Sequence, residues 1–430
     1  MLSLRLKRKI MLFVLVTSIA LLCLIGQGMG EEQSNPVTIE FATWNWDNPE
    51  HEATWTAAIK EFERQNPNIK VEFQLVQFSQ LVAKMKAACQ AGNPPDVSMM
   101  AIGETATFIK AGYLYDITSW VKRDIDLNDF SEKDYSVTSE GKWYGLPWRR
   151  DAYALIYNKD AFEDAGITKW PETIDELFTV IRKLTRDTNG DGKIDQYGYG
   201  VVGKKVPGAF QQWINWFSCY GGELFNEEKT AVPDNFIEKA TKAFAVNDYL
   251  LRNGLADPSA GLNDADENTR LLSIGRIAML QEMQSTIDQI MEMKPSFELG
   301  YGILPRGVEE GEKWWSTMNG GKDMVMYKNA KHPEAAWKFL NFWLSTENQI
   351  NCAQTNPVRK SALAAKKWEA TPEAFRVALS LSHAALSHPI GGDLMLLIQE
   401  ENEKIVYGVT SPEAAAKETA AKINEWLSKD

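Results

Sequence analysis

Apolar residues at Val37, Ile39 and Phe41 alternate with Thr38 and Glu40, the period of a half-buried strand. A polar and aromatic stretch, Trp44-Asn45-Trp46-Asp47-Asn48-Pro49, interrupts the alternation. Trp55, Ile59 and Phe62 then recur on one helical face, and Asn66-Pro67-Asn68 ends that helix. Ile69, Val71, Phe73 and Leu75 alternate as a second strand. A second helix is predicted over residues 79–91, closed by Gly92-Asn93-Pro94-Pro95, and residues 96–100 read as a short third strand. This βαβαβ order predicts an α/β fold with a parallel sheet and helices on both faces. Ligands of such sheets sit beyond the carboxyl ends of the strands, and the 44–47 stretch occupies such an end.

The middle of the chain repeats the alternation of element types. Residues 153–157 (YALIY), 276–280 (RIAML) and 324–327 read as strands, and residues 173–184, 236–252 and 333–344 as helices. An aromatic helical stretch at 211–217 is closed by Tyr220-Gly221-Gly222. Ser411-Pro412-Glu413 opens an alanine-rich tail helix that runs to Trp426, with Pro in its first turn. No internal repeat or low-complexity tract is visible.

Residues 1–30 differ from the rest. Arg5, Lys7, Arg8 and Lys9 form a basic head, an apolar run extends from Ile10 to Ile25, and Gly26, Gly28 and Gly30 follow. A secretion signal has this form. The run is also long enough to cross a bilayer, so a retained anchor is the alternative. Cys23 stands after the bulky Leu22, which makes it a poor lipidation site. Export predicts a periplasmic or outer-surface protein. About 400 residues remain, enough for two domains or one large one.

Charge narrows the partners. Without the signal, 42 basic face 58 acidic residues, a net charge of −16. That balance opposes binding to nucleic acid or an anionic membrane. Cys89, Cys219 and Cys352 are an odd number, compatible with one disulfide or with three buried thiols. Fifteen tryptophans in an exported chain suggest a partner with apolar faces and hydroxyl edges, such as a sugar.

Several segments, in order, resemble the extracellular solute-binding proteins of ABC importers, family 1, which include the maltodextrin-binding proteins. They are Phe62-Glu63-Arg64-Gln65-Asn66-Pro67, Gly92-Asn93-Pro94-Pro95-Asp96-Val97, Gly112-Tyr113-Leu114-Tyr115-Asp116-Ile117, and Trp143-Tyr144-Gly145-Leu146-Pro147-Trp148 before Leu155-Ile156-Tyr157-Asn158-Lys159-Asp160. Lys328-Asn329-Ala330-Lys331-His332-Pro333-Glu334-Ala335-Ala336-Trp337 and Asn356-Pro357-Val358-Arg359 complete the series. Each is weak alone; their joint order over nearly the whole chain is specific. The resemblance implies a two-lobed periplasmic-binding-protein type II fold, each lobe a mainly parallel sheet flanked by helices, with a hinged cleft between. One lobe is expected from residues 31–148 and 318–348, the other from 149–317 and 349–430. Chain crossings are expected near residues 147–152, 314–319 and 346–356. It also implies a non-enzymatic binding subunit that closes over its ligand and is then recognised by ABC permease subunits, and a monomer suits a clamp that must open freely.

Sugar rings need aromatic faces beside planar polar groups. Four places supply both: Trp44, Trp46 and Asp47; Trp148, Arg149 and Asp151; Gln212, Trp213 and Trp216; and Trp314, Trp315 and Asn319. The resemblance matches Asp151 to a sugar-contacting carboxylate. Glu104, after the third strand, is a further candidate. Trp213 and Trp216 stand three apart on one helix face, which suits core packing equally well, and Trp55, Trp337 and Trp343 read as core. Where the family often carries Gly-x-Trp after its RIAML-like strand, this chain has Gln281-Glu282-Met283-Gln284. A stacking ring is missing there, and the sugar itself is not named. Arg149, Arg150 and Arg359 keep a sugar phosphate open.

Residues 187–195 (DTNGDGKID) place oxygen side chains at Asp187, Asn189, Asp191 and Asp195, with Gly192 at position six and the Lys193 carbonyl at position seven. This is the front of a calcium loop, and a structural calcium is expected; Gly198 stands where the closing glutamate belongs. An unmetallated Asx turn is the alternative. No catalytic cofactor is expected. His51-Glu52-Ala53-Thr54-Trp55 lacks the second histidine of a zinc protease, and no nucleophile elbow or phosphate loop occurs. The alternative function is a secreted glycoside hydrolase using paired carboxylates.

Overall fold

The computed structural model describes residues 36–43, 49–130, 137–318, 320–353, 355–383, 386 and 388–429. The expected signal, the candidates Trp44, Trp46 and Asp47, and Asn319 lie outside the described residues.

The chain builds two lobes. Strand β1 (Val37–Thr43), helix α1 (Pro49–Gln65), strand β2 (Ile69–Leu75), helix α2 (Phe78–Gln90) and strand β3 (Val97–Ala101) follow the predicted order. β1 pairs in parallel with β2, from Val37 opposite Ile69 to Thr43 opposite Leu75, and with β3. Helix α3 (Ile102–Lys110) starts directly at the carboxyl end of β3. Strand β4 (Gly145–Asp151) completes the sheet from the far side.

The chain then passes through Ala152 alone into strand β5 (Tyr153–Asn158) of the second lobe. That lobe holds helices α4 (Ile174–Leu184), α5 (Pro207–Cys219) and α6 (Phe236–Arg252), and strands β6 (Met279–Met283) and β7 (Leu299–Gly302). Thr173 caps α4 with a reciprocal capping box, its side chain accepting from Glu176 N. Strand β8 (Thr317–Met318) leads back to β9 (Gly320–Met326), which runs antiparallel between β3 and β4. Helix α7 (Pro333–Trp343) covers the first lobe. Strand β10 (Ser382–His383) pairs in parallel with β8. Helices α8 (Gly391–Val406) and α9 (Pro412–Leu427) finish the second lobe.

Each lobe has its own apolar interior. In the first, Phe41 lies 5.5 Å from Trp343 and 5.3 Å from Phe339, centroid to centroid, and Trp55 meets Trp343 edge-on at 5.1 Å. The helical tryptophans Trp55, Trp337 and Trp343 are core, as their spacing indicates. In the second lobe Trp213 stacks on Phe217 at 4.9 Å, and Phe244 closes the same cluster. Cys219 and Cys352 are buried, Cys89 is half-buried, and all three are free thiols.

Three features depart from the sequence reading. The regular strands of the second lobe are antiparallel, since β5 pairs antiparallel with both β6 and β7. Its parallel pairings are the two-residue β8–β10 pair and single bridges such as Tyr197 to Ile277. β5 enters from the hinge while β6 ends there, so their directions oppose. Second, the predicted strand at 276–280 lies at Met279–Met283, because Ile277 and Ala278 are buried in the approach to the strand and look the same in an apolar pattern. Third, Val358 and Trp368 pack in the core of the first lobe and Phe375 in that of the second. The last crossing therefore comes after Trp368, later than expected, because an apolar residue does not announce which of two cores it joins.

Candidate functional site

The first two crossings lie side by side, and the 356–357 segment of the first lobe lies against them. Gly320 pairs with Asp151, Gly321 with Arg150, and Arg149 bridges to Pro357. Arg150 N donates to the Asn356 carbonyl at 3.0 Å. Gly321 has a φ of +143°, and a Cβ there would stand 2.3 Å from the Arg149 carbonyl, so only glycine lets these strands approach.

Charged side chains fill the junction. Asp151, 2% exposed, lies 3.8 Å from Arg149 Nε and 3.8 Å from Lys322 Nζ, and it accepts from the Thr355 hydroxyl. Arg150 Nη1 meets Asp323 Oδ1 at 3.3 Å, and Thr105 donates to Asp323 Oδ2 at 2.8 Å. Burial raises the Asp151 carboxyl, but Arg149 and Lys322 together hold it below the usual carboxylate range. Burial lowers the Lys322 ammonium to about 8, against the pull of Asp151. Asp151 Oδ2 is buried and makes no hydrogen bond. Buried charges in such numbers cost folding free energy, so their concentration at a hinge points to function.

The two lobes touch on one side of this junction. Thr107 Oγ1 donates to the Pro389 carbonyl at 3.2 Å. A Cβ on Gly391 would stand 3.1 Å from the Gly103 carbonyl, and one on Gly392 would stand 3.7 Å from the Glu104 carboxylate. Glu104 is thus seated between α3 and α8. Burial raises its carboxyl, Lys86 opposes the rise and Asp393 adds to it.

The structure brings Arg149 and Asp151 to the buried junction between the lobes, and Glu104 to the contact of α3 with α8. Trp148 is fully buried, 5.7 Å from Trp343, and belongs to the core of the first lobe. Trp213 and Trp216 are 1% exposed and pack in the second lobe. Gln212 is buried as well; its amide donates to the Gly200 carbonyl at 3.0 Å and accepts from Val202 N at 3.1 Å. Trp315 is half-buried, with Lys313 Nζ 4.7 Å from its ring centroid and the His383 ring at 4.3 Å. His383 Nε2 in turn meets Glu223 Oε2 at 2.6 Å. Trp314 is also half-buried.

Sequence reasoning passed over Lys322, Asp323 and Thr355, which come together only through the pairing of β4 with β9 and the 355–357 segment packed against β4. The Gly320-Gly321 pair was the available signal for that close approach. Two surface cavities lie away from the hinge. One, of about 560 Å³, opens beside Lys338 and Thr346; the other, of about 280 Å³, opens beside Phe162 and Trp170.

The 187–195 loop is held by its own turns. Asp187 Oδ1 accepts from Asn189 N and Gly190 N, and Oδ2 from Gly192 N. Asn189 Oδ1 accepts from Asp191 N, Asp191 Oδ1 from Lys193 N, and Asp195 Oδ1 from Thr188 N. Gly198 packs under the Ile181 carbonyl, where no side chain fits. Among the described residues no three carboxylate, imidazole or thiol groups gather in a way that could hold a metal ion. As they stand, these groups form a set of Asx turns.

Two α/β lobes joined by adjacent crossings, with a polar junction between them, define a hinged binding protein. The chain belongs to the bacterial extracellular solute-binding proteins, whose family model matches residues 45–350. It is 26% identical to a Brucella abortus protein named only as a binding protein, over 86% of this chain and 89% of that one. It is 26% identical to the diacetylchitobiose-binding protein of Streptomyces coelicolor, over 71% of this chain and 69% of that one. Among solved structures it resembles an ABC transporter solute-binding protein of Thermotoga lettingae, bound with α-D-tagatose. The TM-score is 0.78 at 24% identity, covering 92% of this chain and all of that one. The two-lobed fold expected from the resemblance is thereby established.

Proposed function

We propose that this chain is the extracytoplasmic binding subunit of an ABC importer and captures a mono- or oligosaccharide between its lobes. The observation that carries this reading is the junction itself: Asp151 is buried, held as the anion, and retains one carboxylate oxygen without a hydrogen bond. A saccharide hydroxyl is a donor suited to that oxygen, and Arg149 stands beside it to serve an acceptor. Relatives named for diacetylchitobiose, maltotriose and maltodextrin support the same class. The protein works as a monomer without chemistry, exported to the periplasm or the outer face of the membrane, and the closed form docks on permease subunits. The hydrolase alternative finds no support in the relatives, which are named as binding proteins, and Asp151 lies between two cations.

A thermal-shift screen of residues 31–430 against D-tagatose, ribitol, maltose, maltotriose and diacetylchitobiose tests this. A saturable rise with a saccharide, with the saccharide recovered intact, supports it. A rise with none of them, or cleavage of one, overturns it. The 187–195 loop is proposed as a turn-held element, and calcium addition is its test.

A further inference from the structure

The wall of the second lobe nearest the hinge contains a run of hydrogen bonds with one direction. Val202 N donates to Gln212 Oε1 at 3.1 Å, so the Gln212 amide nitrogen is left to donate. It does so to the Gly200 carbonyl and, at 3.3 Å, to the Tyr199 hydroxyl oxygen. Tyr199 donates onward to Gln281 Oε1 at 3.2 Å. An amide whose oxygen is engaged by a donor turns its NH₂ the other way, so each link fixes the next. The run ends at Gln281 Nε2, a committed donor on a residue that is 5% exposed, and that atom has no partner. Trp216 Nε1 is a second buried donor without a partner, and its ring lies 5.8 Å from that of Tyr199.

Their place in the lobe is at the hinge edge. Gln281 stands opposite Leu155, two residues beyond Tyr153, where β5 leaves the hinge. Asn215, next to Trp216, accepts the Thr317 hydroxyl at 3.0 Å, and that hydroxyl oxygen accepts from Tyr153 N. A buried donor with nothing to donate to destabilises a free protein, and a site that keeps it keeps it for something else.

We infer that Gln281 Nε2, with Trp216 Nε1 as a second buried donor of the same lobe, forms a subsite that takes an acceptor oxygen of the captured saccharide. The inference rests on the saccharide reading and deepens it. In this chain the end of β6 recognises its ligand by a directed hydrogen bond rather than by a stacked ring. Gln281 is a specificity-determining residue in that role, and Tyr199 and Gln212 are positioning residues that orient it.

Isothermal titration of wild type and Gln281→Leu with D-tagatose, ribitol and maltose tests this, with melting temperatures measured on the saccharide-free proteins. The expected result is a 10- to 100-fold weaker Kd for the saccharide that wild type binds, with a melting temperature equal to or above wild type. Tyr199→Phe combined with Gln281→Leu removes the stranded hydroxyl as well, and serves if the single variant fails to fold. Wild-type affinity in a folded variant overturns the subsite. A lowered melting temperature with unchanged affinity assigns Gln281 to the scaffold and also overturns it. Failure of wild type to bind any of these three, or maltotriose or diacetylchitobiose, overturns the saccharide reading on which the subsite rests.

Discussion

Thr107 on the first lobe donates its hydroxyl to the Pro389 carbonyl of the second at 3.2 Å, so the lobes are joined across one side of the cleft. The same contact brings Gly391 against Gly103 so closely that a Cβ would stand 3.1 Å from the Gly103 carbonyl. Gly391→Val should wedge the lobes apart. Saccharide affinity should fall about tenfold or more, because binding must then work against the open state, while each lobe keeps its core. Small-angle scattering of the variant should show a larger radius of gyration than wild type in saturating saccharide. An unchanged radius and Kd would mean that this contact does not govern closure.

Asp151 is the residue on which the junction turns. Asp151→Asn leaves Arg149 and Lys322 without their shared counter-charge, and removing one partner of a buried ion group costs about 3–5 kcal/mol. Both stability and affinity should fall, so the Kd is read at low temperature on protein shown to be folded. A variant as stable as wild type would contradict the ionic description of the hinge.

Trp148→Ala addresses a different quantity. The ring is fully buried against Trp343, and emptying that volume should cost about 3–5 kcal/mol. Urea denaturation should show the loss directly. A stable Trp148→Ala protein with weakened binding would return this residue to the ligand site and contradict its place in the core.

Glu282 supplies a pH dependence. Burial raises its carboxyl to about 7, with Met283 N and the Thr286 hydroxyl opposing the rise. The folded state therefore holds a proton that the unfolded chain releases near 4.5. Stability from this group is complete below that value and declines as pH rises to about 7, by at most about 3 kcal/mol. Glu282→Gln should flatten the fall in melting temperature between pH 5 and 8 and should be the more stable protein at pH 8. Parallel pH profiles for the two proteins would contradict this.

The 187–195 loop already satisfies its carboxylates with backbone N–H groups. Neither EDTA nor added calcium should shift the melting temperature. Gly192→Ala, at a φ of +86°, should lower it by about 1 kcal/mol of stability. A calcium-dependent rise would show that the turns open to admit the ion.

Much of the fold was legible because the first lobe starts with clean periodic segments. Ile69, Val71, Phe73 and Leu75 alternate along β2; Trp55, Ile59 and Phe62 are buried along α1. The site was legible only in part. Asp151 and Arg149 could be picked out as polar groups beside Trp148 in the last residues of β4, and Glu104 because it follows β3. Trp148 was expected at the ligand and lies in the core instead, since a tryptophan beside polar residues in sequence still alternates to the other face of its strand. Lys322, Thr355 and Gln281 join the site through pairings between distant segments, and the direction of the Gln212–Tyr199–Gln281 run exists only in three dimensions.

The central claim is capture without chemistry. Isothermal titration of residues 31–430 with the saccharide giving the largest thermal shift, followed by chromatography of the recovered sugar, tests it most directly. The account predicts one saturable site per chain and an unaltered saccharide. No saturable heat, or a saccharide shortened by the protein, would contradict it.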